Sequence, residues 1–184
     1  SNAAVQALVE SATMTDSLSF ASADGTAQTV TITITGANDA PTVATEIADA
    51  STNEDASYSL DVTSSFSDVD TGDGLTYTAT GLPGDLTMST AGVISGTPVN
   101  ADVGPHTVVV TATDDSSTTA PGSVTDTFTL TIVNTNDATT GTVTVSGDAY
   151  DDEVLTAVTT ALADDDGMGT FTYQWANQDG DITG

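Results

Sequence analysis

The 184-residue sequence contains no lysine, no arginine and no cysteine, and only one histidine and one tryptophan. Each absence removes a class of function. Without Lys or Arg nothing can neutralise phosphates, so nucleic acid is excluded as a direct partner. A basic anchor on an anionic membrane surface is excluded with it, and so is a phosphate-binding loop that ends in Lys. Without Cys there is no disulfide framework and no thiol chemistry. The lone His106 follows Gly104-Pro105 and has no Cys or second His with which to share a metal. Serines abound in the chain, but one loop histidine is a weak basis for a triad, and packing in a turn is the expected role. No apolar run reaches membrane-spanning length, no secretory leader is visible, and direct membrane insertion is not expected.

What the sequence has in abundance is acid. Formal net charge is −27, and 23 of the 27 acidic residues are Asp. Asp excess points to turns and to ligation of hard cations. The apolar residues are largely Val, Ala, Leu and Ile interleaved with Thr, a composition that favours strands and is too apolar for a disordered acidic tail. The most telling stretch is Phe66-Ser67-Asp68-Val69-Asp70-Thr71-Gly72-Asp73-Gly74-Leu75, three carboxylates and two glycines between apolar-patterned segments. Crowded like charges raise their own energy until a cation enters. Asp side chains at alternate positions of a Gly-containing turn can converge on Ca2+, which takes about six to eight oxygens. An EF-hand is ruled out, because Gly72 stands where that loop needs a ligand and Ala79 where it needs Glu. The same carboxylates could be read as a glycosidase pair, but that chemistry needs a deep cleft and an acid of raised pKa. No enzyme is expected.

Taken in order, Ser1-Asn2-Ala3 reads as the remnant of a cleaved expression tag, and the rest as an interior slice of a longer chain. Residues 4–19 are weakly patterned. Thr29-Val30-Thr31-Ile32-Thr33-Ile34-Thr35 alternates strictly and predicts a half-buried strand with Val30, Ile32 and Ile34 inward. Pro41 blocks the ladder and marks a module boundary. Further strands are expected at 58–62, 75–79, 93–96, 107–113 and 128–132. The strand at 107–113 has a continuous apolar centre and is expected in the middle of its sheet. Asn-Asp-Ala occurs at 38–40 and again at 136–138, each time after an alternating strand. Glu54, Asp68, Asp70 and Leu75-Thr76-Tyr77 follow the first copy; Glu153, Asp164, Asp166 and Phe171-Thr172-Tyr173 follow the second at nearly the same spacing. This is an internal repeat of β-sandwich size. Trp175 is read as a buried strand tryptophan of such a sandwich.

Phe66-Ser67-Asp68-Val69-Asp70 with Gly74-Leu75-Thr76-Tyr77, then Gly81-Leu82-Pro83, Gly92-Val93-Ile94-Ser95-Gly96-Thr97-Pro98, Ala112-Thr113-Asp114 and Asn136-Asp137 resemble the dystroglycan-type cadherin-like and Putative-Ig modules of bacterial surface proteins. The resemblance covers residues 41–137. Residues 4–40 look like the end of a VCBS-type repeat, and residues 138–184 look like the start of an Ig-like adhesin repeat. Such strings of modules belong to very long bacterial adhesins. The resemblance implies an all-β fold of tandem immunoglobulin/cadherin-like sandwiches, an extracellular or bacterial cell-surface location, and Ca2+ at the junctions between neighbouring modules. The implied ligands at the main junction are Asn38, Asp39, Glu54, Asp68, Asp70 and Asp114. At a second junction they are Asn136, Asp137, Glu153, Asp164 and Asp166, with no strand-end Asp within the 184 residues. One Asp per linker implies one or two ions. The expected function is a calcium-dependent extender of an adhesin; the alternative is a carbohydrate- or protein-binding module with a cell-surface glycan or protein ligand. Residues 4–37 hold closing strands and 139–184 opening strands, so each leaves an apolar face and an open sheet edge. Pairing of these two end segments between molecules is therefore also expected.

Overall fold

The computed structural model describes residues 2–115, 121–148, 154–174, 176–177 and 180–181. These residues divide into two compact units, 1–134 and 135–184. The first opens with a four-residue helix, α1 (Ala3–Gln6), and a hairpin of β1 (Thr13–Ala21) and β2 (Ala27–Thr35). β1 and the helix lie in the stretch read as weakly patterned. Asp16 breaks the apolar face of Met14, Leu18 and Phe20 there, and cross-strand pairing with β2 makes the strand.

A sandwich follows, built from β3 (Thr42–Val43), β4 (Ala50–Asn53), β5 (Tyr58–Asp61), β6 (Phe66–Ser67), β7 (Leu75–Thr80), β8 (Leu86–Met88), β9 (Val93–Gly96), β10 (Gly104–Asp114) and β11 (Ser123–Val133). One sheet has the order β4-β11-β10-β7 and the other β5-β9-β8, with β3 paired to β6 at one end. β10 is central, as its apolar middle predicts, and β4 joins β11 in parallel. The alternating residues Val108, Val110 and Ala112 of β10 and Phe128, Leu130 and Ile132 of β11 face Val62, Phe66, Leu86 and Ile94 across the core. Tyr77 packs on Phe66 with ring centroids 5.8 Å apart.

At the chain turn after β7, Gly81 has φ +78°, and a Cβ there would lie 2.1 Å from the Thr107 carbonyl oxygen. Only glycine fits, both for the left-handed backbone and for the close strand. Further along, the buried Asp102 carboxylate ties two loops together by accepting the amides of Gly84 (2.9 Å) and Val99 (3.2 Å). His106 Nε2 lies 2.6 Å from the Asp102 carbonyl oxygen, a local packing contact, in keeping with its expected role.

The β1–β2 hairpin has the register of β10–β11. Leu18 faces Val30 as Val108 faces Phe128; Asp16 faces Ile32 as His106 faces Leu130; Met14 faces Ile34 as Gly104 faces Ile132. Burial differs completely. Phe128 and Leu130 are 2% and 0% exposed, but Val30 and Ile32 are 49% and 58% exposed. The expected inward placement of Val30 and Ile32 is thus corrected. The strand forms, but the hairpin is a two-stranded sheet with no second layer over its apolar face among the described residues.

The second unit pairs β12 (Thr144–Ser146) with β13 (Thr156–Val158), and β14 (Ala176–Asn177) with β15 (Gly180–Asp181). Thr140 bridges to Ala163, as Thr42 bridges to Ser67 in the sandwich. Phe171-Thr172-Tyr173, the repeat counterpart of Leu75-Thr76-Tyr77, is not a strand. Its counterpart β7 is held by β10, and no such partner strand stands beside 171–173 among the described residues. Trp175 and Glu153 lie outside the described residues.

Candidate metal centre

The alternation of β10 continues past its apolar residues. Asp114 falls two positions after Ala112, in the same inward register, and is 3% exposed at the strand end. A carboxylate there must find donors. The Asn38 side-chain amide gives one at 3.1 Å, and the Gly122 backbone amide gives another at 2.8 Å. Gly122 also donates space. A Cβ on it would sit 2.6 Å from the Ala40 Cβ and 2.7 Å from the Asp114 Oδ2, so the linker could not lie down on the strand end.

The acidic turn is seated beside this linker. The Asp39 amide donates to Asp70 Oδ2 at 2.8 Å, and the Asp70 amide donates to Asp68 Oδ1 at 2.9 Å. Thr71 N–H donates to the carbonyl of Ala7 at 3.2 Å, and Gly74 N–H to Asp115 Oδ1 at 3.1 Å. Five of the six residues expected at the main junction thus share one end of the sandwich. Asp70 is 3% exposed. Asn38 Oδ1, Asp68 Oδ2 and Asp70 Oδ1 are buried there and accept no hydrogen bond. Two of the three belong to carboxylates, and the chain offers no Lys or Arg to approach them. Burying such an oxygen without a partner costs about 1–3 kcal/mol, and more when it is charged. Asp73 reports the same crowding: burial, and then the negative charges of Asp115, Asp70, Asp68 and Asp114, hold its carboxyl above the usual carboxylate range. Among the described residues no three His, Asp or Glu side chains form a ready metal-holding group. The oxygens brought together here include an amide as well as carboxylates, the mixed hard-oxygen set that suits Ca2+.

Glu54 is the exception and is corrected. It is buried, 2% exposed, and its amide donates to the carbonyl of Val133 at 3.0 Å. Val133 ends β11, whereas Asp114 lies beside Gly122 at the start of β11. The strand rise separates those ends by about 35 Å. The resemblance implied Glu54 beside the Asp-x-Asp turn, but β4, running parallel to β11, carries it to the far end.

The second constellation repeats the hydrogen bonds of the first. The Asp137 amide donates to Asp166 Oδ2 at 2.6 Å, and the Asp166 amide to Asp164 Oδ1 at 3.1 Å. Thr139 Oγ1 donates to Asp164 Oδ2 at 2.7 Å, and the Asn136 side-chain amide to the Asp137 carbonyl at 2.9 Å. A cavity of about 180 Å³ is lined by Asp137, Thr140, Asp164 and Asp165. These hydrogen bonds lie at the exposed surface, unlike those at Asp70.

Two contributors escaped the sequence reading. Gly122 is one, and its only signal is the Pro121-Gly122 pair before a strand. The Ala7 carbonyl is the other, and a backbone atom leaves no signal in side-chain chemistry.

No curated protein matches the chain. Among solved structures it is similar to human mucin-like protocadherin EC1-2, with 18% identity and a TM-score of 0.46 over 60% of this chain and 61% of that one. An endo-fucoidan hydrolase of glycoside hydrolase family 107 has 22% identity and a TM-score of 0.43, and the chain, covered over 71% of its length, spans 20% of it. A nucleoside hydrolase-related protein from Saccharophagus degradans has 19% identity and a TM-score of 0.40, over 53% of this chain and 26% of that one. Residues 40–133, from the linker to the end of β11, match the family described as Putative Ig domain. By that match, over the sandwich that seats the acidic turn, the chain belongs to the Putative Ig domain family.

Proposed function

We propose that the chain is a Ca2+-stiffened structural module of a bacterial surface adhesin, working outside the cell, with Asn38, Asp39, Asp68, Asp70 and Asp114 as the ion site. The observation that carries this reading is the trio of buried oxygens without hydrogen-bond partners, Asn38 Oδ1, Asp68 Oδ2 and Asp70 Oδ1, in a chain without Lys or Arg. A bound Ca2+ would supply the positive charge that the chain lacks. The protein's own residues do the rest. Asn38 and Asp39 belong to the linker between β2 and β3, and Asp68, Asp70 and Asp114 to the sandwich. Their hydrogen bonds already hold the linker against the sandwich end. Relief of carboxylate repulsion would remove the force that opposes this contact. Asn136, Asp137, Asp164 and Asp166 are proposed as a second, weaker site, because their hydrogen bonds lie at the exposed surface.

Calorimetric titration of Ca2+ into the whole chain tests the proposal. Binding is expected with a Kd on the order of 10⁻⁴ to 10⁻³ M, the range of extracellular modules. Asp70→Asn keeps the acceptor for the Asp39 amide but removes charge, and should weaken binding by about tenfold, a loss of about 1.4 kcal/mol. Asp85→Asn, at an exposed turn, should leave it unchanged. Equal effects of the two variants would mean that only bulk charge matters.

The pH dependence separates metal from repulsion. Without Ca2+, Asp73 has a raised pKa in the folded state. As pH falls towards the usual carboxylate range, the folded state takes up that proton first and stability rises. Asp24, held at about 2 by hydrogen bonds from Ser22 and then Thr26, and Asp61, lowered by Thr63, act in the opposite sense. Their stabilising effect is present above their ordinary pKa and is lost as pH falls through the folded values. A stability maximum in EDTA is therefore expected just above pH ~4. In Ca2+, protons compete with the ion, so stability should fall throughout the same descent. Parallel melting curves over that pH range would contradict the proposal.

A further inference from the structure

We propose that the β1–β2 hairpin of one copy docks on the β12–β13 face of a second copy and completes a composite sandwich. The sandwich itself shows what covers such a hairpin. Leu18, Phe20, Val30 and Ile32 stand in the register of Val108, Val110, Phe128 and Leu130. Those four core residues are at most 2% exposed, whereas their hairpin counterparts are 68%, 53%, 49% and 58% exposed. In the core, the covering residues include Val62, Phe66 and Tyr77. Asp68 and Asp164 stand 96 residues apart in the two constellations, and the same offset takes Val62, Phe66 and Tyr77 to Val158, Leu162 and Tyr173. Tyr77 is 5% exposed and Tyr173 55%. The second unit thus carries the counterparts of the covering residues, with Val158 and Leu162 half-buried and Tyr173 exposed, and the hairpin carries the face that needs a cover.

The uncovered side chains of the second unit line a recess. Val143, Val145, Ala157 and Tyr173 surround an apolar groove of about 280 Å³. The hairpin's four large side chains and those of this groove are about half to two thirds exposed and together offer roughly 700 Å² of apolar surface, given that even an aromatic side chain covers only about 150–250 Å². One junction is therefore that of a weak association, and two reciprocal junctions, roughly 1,400 Å², fall within the range of a specific interface.

The only acid on the hairpin's apolar face is Asp16, opposite Ile32 at the position where His106 sits at the margin of the core. Since every copy carries a charge of −27, association is expected to strengthen with salt, which screens the repulsion.

Sedimentation or light scattering of the whole chain from about 1 to 500 µM, in about 0.5 M NaCl, tests this, at a concentration scale suited to a small interface. The mass should rise from 18.4 kDa towards at least twice that value. Phe20→Asp and Val145→Asp, both at exposed positions, should each stay monomeric with unchanged melting temperature at low concentration. Mixed one to one, they should regain a complex of two chains, because each brings one intact face. A wild-type chain that stays monomeric overturns the proposal, whether its hairpin amides exchange freely or are protected by docking in the same chain. So does wild-type association that either variant leaves intact, or a mixture that stays monomeric.

Discussion

In about 10 mM Ca2+ the chain should melt roughly 10–20 °C higher than in EDTA. Ligand that binds only the folded state at about 100 times its Kd stabilises by about 2.7 kcal/mol. In a domain of about 60–100 residues each kcal/mol moves the midpoint by about 4–8 °C. The family module at residues 40–133 is of that size. The effect is expected to be large here because the folded state starts at a disadvantage. Its buried Asp68 and Asp70 oxygens lack partners, and no Lys or Arg can move in to compensate. Asp70→Asn should lose most of the rise. Mg2+ should give a smaller one, because it prefers to keep its waters and demands octahedral geometry. Superimposable melting curves in EDTA and Ca2+ would end the calcium reading.

Leu130→Ala should cost about 2–5 kcal/mol, whereas Ile32→Ala, at the matching place in the hairpin, should cost less than about 0.5 kcal/mol in dilute protein. Leu130 is 0% exposed between the two sheets, and its removal leaves a cavity that the flanking Phe128 and Ile132 cannot fill. Ile32 is 58% exposed and gives up almost no buried surface. Both residues sit in strictly alternating strands and are 98 positions apart in the same sequence frame. Chemical denaturation at about 1 µM reads both costs, with the slope m reporting the surface exposed. A similar loss for the two variants would show that the hairpin face is covered within a single chain.

The strand pattern was legible because a strand's side chains alternate, and alternation survives in sequence wherever one face is apolar. Val108 to Ala112 and Phe128 to Ile132 could be read this way. β1 could not, because Asp16 interrupts the apolar face of Met14, Leu18 and Phe20, and its partner is what makes it a strand. The Asp-x-Asp turns were legible for a related reason. Each is a local motif, and Asp68 with Asp70, like Asp164 with Asp166, is joined by a hydrogen bond spanning two residues. Their seating against Asp39 and Asp137, 31 and 29 residues away, is what the cadherin-like resemblance implied.

The sequence by itself determined the all-β class, the acid-only electrostatics, the exclusion of phosphate and thiol chemistry, and the two Asp-x-Asp turns. These depend on composition and on short-range spacing. Only the tertiary structure decided which long-range groups join those turns. It turned Asp114 inward beside Asn38, selected Gly122 for its missing Cβ, and sent Glu54 to the far end through the parallel pairing of β4 with β11. It also decided that Val30 and Ile32 remain exposed. Alternation says which side chains share a face, but whether that face meets water or a second sheet depends on strands distant in sequence, and no local pattern records them.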